Sequence, residues 1–233
     1  VCAVATDQAS LSLVSDGSGG AIIAWHDYRN SNYDIYAQRV KASGTLQWTR
    51  DGVAVCTAAS DQAYPEIMSD GSGGAIIAWQ DYRYGNYDIF AQRVNASGAP
   101  QWTGNGVAVC TTASDQAYPG LIADGSGGAV IAWTDYRSGN CDIYAQRVNP
   151  SGSPQWTNDG LAICTSTGEQ VVTSMEYDSS GNVTLTWMDS RSGNYDIYSQ
   201  RLNQSGVPQW TYDGLAIYSG AGDQILPNTV ADG

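Results

Sequence analysis

The chain has one histidine, one phenylalanine and little lysine among 233 residues, and it contains no apolar run of the roughly 18 residues that a membrane helix needs. The lone His26 excludes a metal centre built on several imidazoles. The five cysteines lack the paired spacing of zinc or redox sites. No window keeps a 3.6-residue period, and Gly or Pro interrupts every long segment, so no helix is predicted. A charged start followed by an apolar stretch is also missing, and the expectation is a processed secretory protein or an internal segment of a longer one.

What the chain does have is a repeat. Trp25, Trp79, Trp133 and Trp187 stand 54 residues apart, and so do Trp48, Trp102, Trp156 and Trp210. The units run approximately 1–54, 55–108, 109–162 and 163–216, with a partial fifth at 217–233, and one domain is expected. Duplicated units carry duplicated surfaces, whereas a catalytic site needs different residues converging on one point.

The net charge of −13 arises from the repeat: unit two sets Asp61, Glu66, Asp70, Asp81 and Asp88 against Arg83 and Arg93. Such a field disfavours nucleic acid and anionic membrane and favours cations or neutral partners; solubility alone is the alternative reading. Cys2, Cys56, Cys110 and Cys164 share one repeat position, too far apart on successive units to bridge, and Cys141 stands alone where other units have Tyr33, Tyr87 and Tyr195. Five free thiols are predicted.

Within unit two, the runs Ala63–Met68, Ala75–Trp79, Tyr87–Val94 and Gly106–Cys110 read as four short antiparallel strands separated by turn signals. The fold class predicted is all-β: a β-propeller built from 54-residue four-stranded blades, four full repeats plus a partial fifth. A β-solenoid is the rival.

The run Trp79-Gln80-Asp81-Tyr82-Arg83-Tyr84-Gly85, followed by Asp88-Ile89-Phe90, resembles the bacterial neuraminidase repeat of sialidase-like propellers in repeat-rich exported bacterial surface proteins. The family's Asp-box, Ser-x-Asp-x-Gly-x-Thr-Trp, corresponds to Asn95-Ala96-Ser97-Gly98-Ala99-Pro100-Gln101-Trp102, where Ser97 and Gln101 replace the aspartate and threonine. The boxes are therefore degenerate. The resemblance implies a propeller and an extracellular or cell-surface location; no catalytic residue carries over.

Three sets of residues are candidates for function. The loops holding Tyr28, Arg29 and Asn32, Tyr82, Arg83 and Asn86, Tyr136, Arg137 and Asn140, and Arg191 and Asn194 combine aromatic faces with amide and guanidinium donors, which suits sugars; a polar loop around a buried arginine is the alternative. Asp7, Asp61, Asp115, Glu169 and Asp223 recur every 54 residues, and a ring of them at a channel mouth would suit Ca2+, against the alternative that each caps its own turn. The arginines at 29, 83, 137 and 191 and at 39, 93, 147 and 201 are expected to pair with Asp34 and its equivalents, five residues away.

These readings combine into a noncatalytic, exported, multivalent propeller that binds glycans in lectin fashion. A structural or adhesive module that binds surface proteins or assembles with itself is the alternative, and a sialidase-like glycosidase comes third. Neither nucleic-acid binding nor membrane insertion is expected. Finally, Asp223-Gln224 and Asp232-Gly233 fall in the register of Asp7-Gln8 and Asp16-Gly17. A four-bladed ring would then hold a first and a fourth strand too many, so a segment of a longer repeat protein is expected, with terminal strands free to pair with other chains.

Overall fold

A computed structural model describes residues 1–230; the Asp232-Gly233 match lies outside them. Each repeat is one antiparallel sheet. Blade 1 comprises β1 (Gln8–Ser15), β2 (Ala21–Asp27), β3 (Asp34–Val40) and β4 (Val53–Cys56). Blade 2 comprises β5 (Gln62–Ser69), β6 (Ala75–Asp81), β7 (Asp88–Val94) and β8 (Val107–Cys110). Blade 3 follows with β9 (Gln116–Ala123), β10 (Ala129–Asp135), β11 (Asp142–Val148) and β12 (Leu161–Cys164), and blade 4 with β13 (Gln170–Tyr177), β14 (Val183–Asp189), β15 (Asp196–Leu202) and β16 (Leu215–Tyr218). The strands of every sheet pair in chain order. This up-and-down order is a propeller blade, and it excludes the solenoid.

Local chemistry sets each hairpin. Asp70 ends β5 and accepts the amides of Ser72 and Gly74, closing a tight turn. A Cβ at Gly74 would lie 2.2 Å from the Val94 carbonyl, so β6 starts where only glycine fits. The β6 run, Ala75–Asp81, is buried throughout because neighbouring blades cover both faces. Three hydrophobic cores result, one at each blade–blade junction.

The second tryptophan series latches one blade to the next. Trp48 Nε1 donates to the Ala96 carbonyl at 3.0 Å, Trp102 to Pro150 at 3.0 Å and Trp156 to Gln204 at 3.2 Å. Each acceptor lies in the following blade's degenerate Asp-box turn, where a Cβ at Gly98 would lie 2.8 Å from the Trp48 ring. The turn keeps its glycine because the neighbouring indole occupies that space. Among the described residues no turn follows to accept Trp210, which is 36% exposed, against 7% for Trp48 and 8% for Trp102.

Trp102→Ala should therefore lower stability by about 3–5 kcal/mol, and Trp210→Ala by roughly 1 kcal/mol. Urea unfolding followed by circular dichroism measures both; equal losses would remove the latch from the account.

Candidate functional site

The second strand of every blade ends in a buried aspartate that organises the loop beyond it. Asp81 is fully buried; its Oδ2 accepts Trp79 Nε1 at 2.8 Å and Arg83 NH2 at 2.5 Å, while Oδ1 accepts Arg83 Nε at 2.8 Å. The guanidinium also reaches the Asn105 carbonyl at 2.8 Å and lies 3.9 Å over the Phe90 ring. Arg29, Arg137 and Arg191 repeat the arrangement over Tyr36, Tyr144 and Tyr198. Burial pulls the carboxyls of Asp27 and Asp189 upward, but the arginine and indole hydrogen bonds outweigh it and hold both below the ordinary carboxylate value.

The expected Arg–Asp pairing is corrected here. Arg29 pairs with Asp27 rather than Asp34, because a two-residue step along the β2 exit puts the carboxylate under the guanidinium. Arg39 crosses the sheet to Asp16, the turn aspartate, and Arg93, Arg147 and Arg201 reach Asp70, Asp124 and Asp178 in the same way. With Arg50 beside Asp51, all nine arginines lie against an aspartate.

Much of the loop set considered for sugar binding is engaged inside the protein. Asn86 Nδ2 donates to Asp88 and to the carbonyls of Thr112 and Ser114 at the start of the next unit, and Asn32, Asn140 and Asn194 do likewise. Tyr28 and Tyr82 remain partly exposed, each edge-on at 5.0 Å to Tyr33 or Tyr87. The candidate cation ligands are similarly used: Asp61, Asp115, Glu169 and Asp223 accept the backbone amides of Tyr33, Tyr87, Cys141 and Tyr195 from the preceding blade. They tie blade to blade rather than capping only their own turns. Asp7 is exposed. Among the described residues, no group of three or more His, Cys, Asp or Glu is placed to hold a metal ion.

All five cysteines are free, as predicted. Burial pushes the Cys56 and Cys164 thiols up to about 12 and Cys110 up to about 11, despite an arginine nitrogen within 3.4 Å of each sulfur. Such thiols are inert packing groups.

A different cluster lies where the first strands converge. Blades 2, 3 and 4 border an open cavity of about 420 Å³ lined by Tyr64, Glu66, Tyr118, Thr173, Ser174 and Met175, among others. Tyr64 and Tyr118 occupy bulges in β5 and β9 with φ of 52° and 53°, and their exposed rings meet edge-on at 6.0 Å. A positive φ costs free energy for a non-glycine residue, and such strain gathers at ligand sites. Two contacts fix the bulges: the Tyr118 amide donates to Gln80 Oε1 at 3.0 Å, and the Tyr64 amide to His26 Nδ1 at 3.4 Å. Burial lowers the His26 pKa, so the ring is neutral and its nitrogen is free to accept. Glu66 is exposed on the same wall, with Ser12 donating to its Oε2 at 2.9 Å. The sequence signal for this cluster was Tyr64-Pro65 and Tyr118-Pro119 inside strands, since proline within a strand marks a bulge.

The fold and cavity define a β-propeller of repeated four-stranded blades. No family model matches the chain, and no curated protein matches it in sequence. Solved structures do. A putative glycoside hydrolase from Parabacteroides distasonis is 10% identical, covers 86% of this chain and 70% of its own length, and superposes with a TM-score of 0.50. A putative glycosidase from Bacteroides thetaiotaomicron is also 10% identical, with coverages of 93% and 75% and a TM-score of 0.50. The endo-arabinase of the same organism is 15% identical, with coverages of 90% and 81% and a TM-score of 0.49. The first two likenesses agree with the propeller fold that the four up-and-down sheets show. They also correct the expectation of a noncatalytic lectin or adhesive module: the first two neighbours carry the names glycoside hydrolase and glycosidase, and no sialidase-like repeat is shown. Duplication does not prevent convergence of different residues, since Tyr64 and Glu66 of unit two, Tyr118 of unit three and Met175 of unit four meet at one cavity.

Asp88 provides a titration test of the loops. Its buried Oδ2 has no protein partner, nor has that of Asp142, where Ser138 donates to Asn140 instead, whereas Asn30 donates to Asp34 Oδ2 and Ser192 to Asp196 Oδ2, each at 2.6 Å. Tyr84 occupies the donor's place. Burial pushes the Asp88 carboxyl up to about 6, against a partial opposing effect from Asn86. A raised folded-state pKa means that this contribution to stability is full below about pH 4 and lost as pH rises to about 6. Tyr84→Asn should restore the donor as Asn30 does for Asp34, raise stability at pH 7 by about 1–3 kcal/mol and flatten that decline. Thermal unfolding of both proteins between pH 3.5 and 7.5 is the measurement.

Proposed function

We propose that this propeller acts on neutral glycans at the axial cavity, as a hydrolase of glycosidic bonds. The observation that carries the reading is the pair of exposed tyrosine rings and one carboxylate, Glu66, on the wall of a 420 Å³ cavity. Rings of this kind stack on sugar faces, and the volume suits one or two sugar units. Proteins of similar fold carry the names glycoside hydrolase and glycosidase.

The charge distribution favours neutral substrates. With a net charge of −13 and no arginine or lysine among the lining residues, nothing on the wall would bind an anionic sugar's carboxylate. The sialidase-like appearance of the repeat motif therefore bears on fold alone in this proposal, and neutral glycosides rank ahead of sialosides. Glu66 is assigned the role of general base: its carboxylate takes a proton from the water that attacks the anomeric carbon as the glycosidic C–O bond breaks, and solvent protonates the leaving oxygen. It is the one carboxylate among the lining residues, whereas the two-carboxylate route uses a pair. Export to the cell surface, where such glycans occur, belongs to the same proposal.

The test is a panel of fluorogenic arabinofuranosides, mannosides and sialosides. Turnover of a neutral glycoside is expected, falling roughly 100-fold or more in Glu66→Gln, with KM raised about tenfold in Tyr118→Ala. Absence of turnover across the panel, or full activity in Glu66→Gln, would overturn the assignment.

A further inference from the structure

Each end of the chain occupies the place of a strand of a further blade, residues 1–5 against blade 1 and residues 223–230 against blade 4. At the C-terminal end, the Gln224 amide donates to the Tyr195 carbonyl at 2.6 Å, as Gln62, Gln116 and Gln170 donate to Tyr33, Tyr87 and Cys141. Leu226 has φ of 54°, the bulge value of Tyr64 and Tyr118, and its amide meets Met188 Sδ where theirs meet His26 and Gln80. Ser174 bonds Asn228 just as Ser12 bonds Glu66, 54 residues away in both cases. Residues 223–230 therefore follow the path of a first strand, with no second strand beside them among the described residues.

The N-terminal end mirrors this. The Ala3 amide donates to Asp51 Oδ1 at 2.9 Å, as Thr57, Thr111 and Thr165 donate to Asn105, Asp159 and Asp213. Cys2 sits against Arg29 and Asp27 as Cys56 sits against Arg83 and Asp81. Residues 1–5 thus hold the place of a fourth strand.

Both outer sheet faces are open halves of the interface that the chain builds three times internally. Leu13 is 61% exposed where its equivalent Ile67 is 8% exposed, and Ile217 is 54% exposed where Val109 is 3% exposed. Beside Leu13, an apolar hollow of about 280 Å³ is lined by Leu11, Ile23 and Trp25. The blade 4 face carries Thr186 and Ser199 in place of alanines, but their hydroxyls bond one another and the Leu185 carbonyl. Their polar atoms are satisfied without a partner.

We propose that the two open faces together receive one β-hairpin of this same repeat, equivalent to residues 72–108, which supplies the second and third strands between residues 223–230 and residues 1–5. The register selects this occupant. The first and fourth strands are present, and the segment between them in every internal unit is the Trp-x-Asp-x-Arg hairpin with its tryptophan turn. Trp210 would then donate to that turn, as Trp48, Trp102 and Trp156 do to theirs. The inference is independent of the glycan reading.

The experiment extends the whole chain after Gly233 with a copy of residues 72–108 and compares it with a chain carrying a Gly/Ser tail of equal length. Expected are a rise in Tm of roughly 5–10 °C, a blue shift of tryptophan emission and loss of apolar-dye binding. Both Leu13→Asp and Ile217→Asp, surface changes in the parent chain, should abolish the gain. No rise over the tailed control would overturn the proposal, as would a rise sensitive to only one of the two variants. Concentration-dependent dimers of the parent chain that lose dye binding would make a second copy the occupant and overturn it as well.

Discussion

The structure depends on one buried ion pair repeated four times. Asp27, Asp81, Asp135 and Asp189 are fully buried, and a buried carboxylate is tolerated only with a matched cation and satisfied oxygens. Indole Nε1, guanidinium and a backbone amide provide this within three to five residues of chain. Because the arginine also reaches the β3–β4 connection and covers an aromatic ring of β3, the pair fixes the relation of three strands in a blade. Removing either partner would leave an uncompensated buried charge, which explains why the motif is intact in all four units.

From this pair the loop geometry follows, and from the loop the blade-to-blade order. The fixed loop aims Asn86 at Thr112 and Ser114 and offers the Tyr87 amide to Asp115. The tryptophan latch does the equivalent at the opposite end of the sheet. Each blade is thus clamped to its successor at both ends by polar contacts and between them by an apolar core, so a blade without a successor shows its core residues to solvent.

Repetition and convergence play different parts. The repeated arginines, asparagines and acids, the most prominent polar features of the sequence, are spent on holding blades together. The cavity is built from positions where the units differ: Tyr64 and Tyr118 stand where units one and four have Ser10 and Val172, and Glu66 where unit three has Gly120. A site with distinct walls arises from drift within a symmetric frame, and the frame supplies the rigidity that a site needs.

The sequence by itself determined the blade. A 54-residue period, Asp-Gly turns and alternating or apolar runs of strand length are local properties, and β1 to β16 fall where those signals lie. It also determined the free thiols, since equivalent positions on successive blades cannot meet. Only the folded chain decided which aspartate serves which arginine: spacing alone made Asp34 a partner for Arg29, but the course of the chain out of β2 puts Asp27 beneath the guanidinium and leaves Asp34 to Asn30 and Asn32. Only the tertiary structure assembled the cavity, because Tyr64, Tyr118 and Met175 are 54 or more residues apart and no local pattern encodes their meeting. Proximity between blades is set by packing across whole sheets, which a one-dimensional pattern does not carry.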